Sequence, residues 1–245
     1  MSEAEVEVEA EGRGAWTLRG KENGMTSYGW VTSSSAESFD GASNASEWHN
    51  RVRRGVRAID QLLTLAGYPG ESDEPIFGDE MKHRALAFQG SAGIKSTYGY
   101  VGPITMTALV IGVAKSAALE VGIAPRWVLA MVQKESGFDP GAQGWSHAAD
   151  SGLVQYNVDA GSVSLAQAYD PVKSIRMAAH RWAAARDTYL ADGADRQTAI
   201  NAAVAQHNSP VWAAQWAKAG EPPNSQIAEY VALTREYAQD WRKKL

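Results

Sequence analysis

From Ser46 onward the apolar residues of this 245-residue chain recur at three- and four-residue intervals, with prolines and glycines punctuating the runs. That spacing places them on one face of successive α-helices. Val52, Val56, Ile59, Leu62, Leu63 and Ala66 make the first such face, and Gly67 is placed to stop it. A loop with Pro69, Gly70 and Pro75 follows, then a second helix around Asp79 to Gln89. Pro103 suits the first turn of a third, which Met106, Leu109, Val110 and Val113 continue. Another helical pattern begins at once, over Ala114 to Glu120, so the junction near residues 111–114 is expected to be short and stiff. Further patterns cover 125–136, 171–190, 196–207 and 223–243, with a short non-helical stretch near 145–165. The expectation is a mainly α protein whose sheet, if any, is small and lies beside a cleft.

Residues 1–45 read differently. An alternating glutamate tail leads into a Gly/Ser-rich stretch holding Trp16, Tyr28 and Trp30, without a sustained helical period, so the segment is expected to be extended or loop-like. Its aromatic rings suit stacking on sugars, but rings that simply anchor a long loop to a neighbouring domain are the commoner case.

Composition excludes several kinds of chemistry. There are no cysteines, hence no disulfides, thiol nucleophiles or thiolate metal sites. The five histidines, His49, His83, His147, His180 and His207, are scattered singly, none in His-x-x-x-His spacing, so no metal and no cofactor are implied. Five of the 28 acidic residues (Glu3, Glu5, Glu7, Glu9 and Glu11) fall in the first eleven positions, and the remaining 23 match the 23 lysines and arginines. A formally neutral body argues against nucleic acid as a partner. No apolar run is long enough for stable membrane insertion, and Met1 to Glu11 lacks the basic start and apolar core of a secretory signal. Oligomeric state is not legible.

In residues 50–112 a set of motifs falls in order: Val56-Arg57-Ala58-Ile59-Asp60-Gln61-Leu62-Leu63, Gly67-Tyr68, Ile76-Phe77-Gly78, Ala87-Phe88-Gln89 and Val101-Gly102-Pro103, ending at Ala108-Leu109. Together they resemble the three-helix peptidoglycan-binding domains attached to many wall hydrolases. The resemblance implies a compact bundle over 46–112 with bacterial cell-wall peptidoglycan as partner. It picks out no wall-contacting residue, because Phe88 and the leucines are core residues on their own pattern.

Ile123 to Glu135 reads as a helix with Pro125 in its first turn and Gly137 as its stop. Val128, Met131 and Val132 form its apolar stripe, and the next place on that stripe is Glu135. A carboxyl group therefore falls where the core face meets the helix end. Partial burial and the negative end of the helix dipole would both disfavour its charged form, raising its pKa towards that of a general acid. On the stripe alone, a glutamate swung out to solvent beside Lys134, like most glutamates near helix ends, is the favoured reading.

The surrounding residues decide between these readings. Glu135-Ser136-Gly137-Phe138-Asp139-Pro140-Gly141-Ala142, followed by Gly152-Leu153-Val154-Gln155, resembles the two-part signature of the soluble lytic transglycosylases. Asp170-Pro171-Val172-Lys173-Ser174-Ile175, Ala205-Gln206-His207-Asn208 and Glu229-Tyr230-Val231 extend the resemblance over about residues 113–245. It implies a lysozyme-like catalytic domain that cleaves between N-acetylmuramic acid and N-acetylglucosamine. Glu135 would be the single general acid and later base, and Ser136 the neighbour that orients it. Gln155 and Asn208 would donate to sugar acetamido and hydroxyl groups, with Tyr156 beside them, and Tyr230 would line the cleft facing Glu135.

The chain departs from the family pattern at two places. His207 stands where a tyrosine is usual, and Tyr156-Asn157 follows Gln155 where aliphatic residues are usual. His207 shares a stripe with Ile200, Ala203 and Val204, which suits a packed, neutral imidazole. If it reaches the cleft, it supplies an N–H where the tyrosine would supply an O–H.

Glycosidases commonly use two carboxyl groups, whereas the motif supplies one. The resemblance implies that the muramyl 6-hydroxyl attacks the anomeric carbon and leaves a 1,6-anhydro product. Asp139, Asp150 or Asp159 could instead position a water and make the enzyme a hydrolytic muramidase. A wall-binding protein without activity is the reading from another class. The expected setting is that of a phage lysis enzyme (an endolysin) held in the host cytoplasm until it is released to the wall.

Overall fold

A computed structural model of the chain describes residues 6–11, 15–20, 45–71, 78–95, 99, 101–142, 150–159, 161 and 163–245, with side chains from Arg54 onward. The described residues are mainly helical. In order they form β1 (Val6–Glu11), β2 (Ala15–Gly20), α1 (Ala45–Leu65), α2 (Asp79–Ser91), α3 (Pro103–Glu120) and α4 (Pro125–Ser136). There follow β3 (Asp150–Ser151), β4 (Tyr156–Asn157), α5 (Leu165–Tyr169), α6 (Pro171–Ala191), α7 (Arg196–Asn208), α8 (Pro210–Ala219) and α9 (Ser225–Lys244). Within the segment expected to be extended, β1 and β2 pair antiparallel, Val6 opposite Gly20 and Glu11 opposite Ala15. Tyr28, Trp30, Pro75, Ile76, Phe77 and His147 lie outside the described residues, and of Trp16 and His49 only the backbone element is described.

Two compact units divide the chain: residues 1–112 with 138–172, and residues 113–137 with 173–245. In the first, the apolar faces of three helices supply a core of Val56, Ile59, Leu62 and Leu63 from α1, Met81 and Ala85 from α2, and Met106, Leu109 and Val110 from α3. Gln89 is buried with them, and its Nε2 donates to Thr105 Oγ1 at 2.8 Å.

Arg84 ties α2 to α1 through several hydrogen bonds. Its guanidinium meets Asp60 Oδ1 at 2.6 Å and donates to the backbone oxygen of Tyr68 at 2.8 Å and to Thr64 Oγ1 at 3.1 Å. Arg84 is only 10% exposed, so removing it leaves a carboxylate and a carbonyl poorly solvated and unmatched. Arg84→Met is expected to cost about 2–3 kcal/mol of stability in urea unfolding. Arg84→Lys should recover little of it, because an ammonium cannot reproduce the fork.

The same unit holds residues 138–172, where β3 and β4 form a two-residue hairpin, Ser151 opposite Tyr156. α5 opens on a capping box: Ser164 Oγ accepts the Gln167 N–H and the Gln167 side chain accepts the Ser164 N–H. Arg54 of α1 lies 4.3 Å over the Tyr169 ring.

In the second unit α4 is buried on all sides from Val128 to Val132, a broader face than the stripe read from sequence. α9 packs along it, and Trp241 Nε1 donates to Gln133 Oε1 at 2.7 Å. α7 and α8 pack against each other, and their junction is set by Ser209, the N-cap of α8, with Pro210 in the first turn.

Two features differ from expectation. α8 was not anticipated, although Ser209-Pro210 and Gly220 frame it as start and stop signals. The separate patterns ending at Val113 and beginning at Ala114 are one unbroken helix, α3. Gly112 alone, with neither a proline nor a polar stop after it, weakens a helix without ending it.

Candidate active site

The C-terminal end of α4 sets the position of Glu135. Gly137 takes the left-handed conformation, φ 57°, and its N–H closes the helix on the Gln133 carbonyl. Phe138 follows in the same conformation, φ 69°, unusual for a side chain of that size. Two residues before Gly137, in the last turn of α4, the Glu135 side chain is withdrawn from water, 16% exposed.

Two groups of the same unit approach it. The Tyr230 hydroxyl, from the buried face of α9, donates to Glu135 Oε1. His207 Nε2, from the last turn of α7, lies 4.0 Å from that same oxygen. Tyr230 is itself held: Lys134 Nζ sits 5.1 Å over its ring, and Thr234 Oγ1 donates to its backbone oxygen at 2.8 Å.

Burial pushes the Tyr230 hydroxyl well above the ordinary tyrosine value of 10.0, and the Glu135 charge and hydrogen bond add to the shift. The neutral phenol is the favoured form in the fold, so above that ordinary value the folded chain holds a proton that the unfolded chain has lost. This stabilisation is complete below about pH 10 and is lost as pH rises through the higher folded value. Unfolding free energies measured between about pH 9 and pH 11 should therefore fall more steeply for the wild type than for Tyr230→Phe.

The remaining residues singled out from sequence occupy varied places. Ser136 Oγ donates to the Val132 carbonyl at 3.2 Å, back along its own helix. Asn208 is exposed at the end of α7. Gln155 and Tyr156 belong to the first unit. Gln155 is left-handed, φ 50°, and its Nε2 donates to the Gly152 carbonyl at 2.8 Å, which fixes the turn into β4. Tyr156 is buried. In that unit Asp139 is buried too, and its Oδ1 accepts the Gly141 N–H at 2.8 Å. Among the described residues no three His, Asp or Glu side chains cluster as a metal site would need, and no helix is long and apolar enough to cross a membrane.

Residues 112–218 match the family model described as Transglycosylase SLT domain. No curated protein matches the chain. The SLT match supports a lysozyme-like domain of lytic-transglycosylase type, with cleavage of glycosidic bonds in peptidoglycan as its chemistry. The SLT segment takes in Glu135, Gln155 and His207 and stops before α9. Tyr230, which touches the Glu135 carboxyl, therefore comes from outside it. The matched stretch is less than half of the chain.

Proposed function

We propose that the chain cleaves the β-1,4 bond between N-acetylmuramic acid and N-acetylglucosamine, with Glu135 as both acid and base. The observation that carries this reading is the Glu135 carboxyl, withdrawn from water at the end of α4, with the Tyr230 hydroxyl on one of its oxygens. Glu135 gives its proton to the glycosidic oxygen as the bond from the anomeric carbon breaks. The muramyl 6-hydroxyl then attacks that carbon and returns its proton to Glu135, leaving a 1,6-anhydro end and consuming no water. One carboxyl group suffices because the nucleophile belongs to the substrate.

Residues 113–245 form the catalytic part in this proposal. Residues 46–112, with their three-helix core and the motifs quoted above, hold the enzyme on the wall. Ser136, Gln155, Tyr156, Asn208 and Tyr230 are the proposed substrate-side residues. The exposed Asn208 amide is free of the helix pattern that buries Val204 and Ala205, and the Tyr230 hydroxyl steadies the acid.

Mass spectrometry of digested peptidoglycan tests the reading. Muropeptides one water lighter than their reducing counterparts, with anhydro ends, are the expected product. Reducing muramic acid ends would replace it with hydrolysis by the same acid, and an undigested wall would leave binding alone.

A further inference from the structure

Two groups that can donate converge on one oxygen of Glu135. Tyr230 of α9 already donates to Oε1, and His207 of α7 holds Nε2 4.0 Å from it. The imidazole is 12% exposed, so water does little to screen it from the carboxyl. An oxygen that accepts one hydrogen bond and faces a second donor is a poor seat for a proton, because its own O–H would point at the donors. The transferable proton of Glu135 accordingly belongs on Oε2, and Oε1 is where negative charge gathers once that proton has gone.

We propose that His207 is a positioning residue for glycan cleavage: in its Nε2–H tautomer it closes on Glu135 Oε1 as Oε2 surrenders its proton, and with Tyr230 it stabilises the carboxylate that forms. This inference rests on the function proposed above and assigns a further residue to it. The proton leaving Oε2 goes to the glycosidic oxygen as the bond to the anomeric carbon breaks, while His207 and Tyr230 keep theirs. At 4.0 Å the pair is not yet a hydrogen bond, and catalytic contacts that are long before substrate binds tighten in the complex. Because the charge develops in the transition state, His207 acts on turnover rather than on binding.

The test uses the full chain and a soluble peptidoglycan glycan fragment, with wild-type cleavage measured first. His207→Phe, which has no donor, should lower kcat roughly tenfold or more with KM within about twofold. His207→Gln, whose amide N–H reaches in the same direction, should recover most of that loss. Wild-type kcat in the phenylalanine variant, or equal loss in both variants when both are folded by circular dichroism, would overturn the assignment. A second readout needs no substitution: long-range proton–nitrogen correlation spectra of the wild type should find the His207 proton on Nε2, and a proton on Nδ1 alone overturns the proposal. If the wild type leaves the glycan intact, the failure belongs to the proposed function, while the tautomer still decides whether His207 is set to donate to Glu135.

Discussion

Glu135→Gln is expected to lower glycan cleavage by at least about a thousandfold, the upper part of the range for a positioned acid or base. One side chain serves both halves of the proposed reaction, so its amide fails twice: it has no proton acidic enough for the leaving oxygen and no lone pair basic enough for the attacking hydroxyl. The loss corresponds to about 4 kcal/mol of transition-state stabilisation. The substitution is isosteric and keeps an oxygen to accept the Tyr230 hydroxyl, so the fold should persist. Release of soluble fragments from purified wall, with circular dichroism as the control, reads both. Cleavage within tenfold of wild type would remove Glu135 from the chemistry.

The second large effect concerns stability. Gly152 has φ 77°, and a Cβ built there would lie only 1.9 Å from the Ala168 carbonyl oxygen and 2.8 Å from its carbon. The obstacle is backbone, placed by the capped helix α5, and cannot rotate away. Gly152→Ala should cost about 3 kcal/mol or more, beyond the roughly 1 kcal/mol of a left-handed alanine. Gly161→Ala isolates that smaller contribution, since Gly161 has φ 73° and, among the described residues, nothing within 4 Å of its Cβ position. Chemical denaturation of the two variants should separate them by about 2 kcal/mol. Equal losses would mean that Ala168 yields.

Gly152 also explains why a short motif carries so much information. In Gly152-Leu153-Val154-Gln155 the glycine permits close approach to α5, Leu153 and Val154 are buried, and one N–H of the Gln155 amide goes to the Gly152 carbonyl. The motif is in large part a folding instruction, and its link to chemistry comes through the turn that it builds.

Where an element has its own start and stop signals, its bounds were legible in the sequence. Pro125 and Gly137 enclose α4, Pro171 opens α6, and α7 ends at Asn208 after the helix read over 196–207. The continuity of α3 was not legible, because a lone glycine between apolar runs looks like a boundary until Val110, Val113 and Ala114 are seen to be buried along one helix. α8 could have been read from Ser209-Pro210 and Gly220, but its alternation of tryptophan and alanine gives only a weak period.

The position of Glu135 at the end of an apolar stripe follows from α4 alone, a local fact. The approach of His207 to it depends on α7, more than sixty residues further along the chain. No stripe reveals which helix end faces which. Ala203 and Val204 on the His207 stripe are buried as packing suggests, yet the last residue of that stripe reaches the carboxyl of Glu135. Core packing and contact with that carboxyl are thus not exclusive alternatives for a residue in the last turn of a helix.

The most direct measurement is a crystal structure of the Glu135→Gln chain with a peptidoglycan glycan fragment bound. The oxygen joining N-acetylmuramic acid to N-acetylglucosamine should lie within about 3 Å of the residue 135 amide nitrogen, with Tyr230 on the other side of that group. A glycan bound with no bridging oxygen near residue 135 would contradict the assignment of that side chain as the acid.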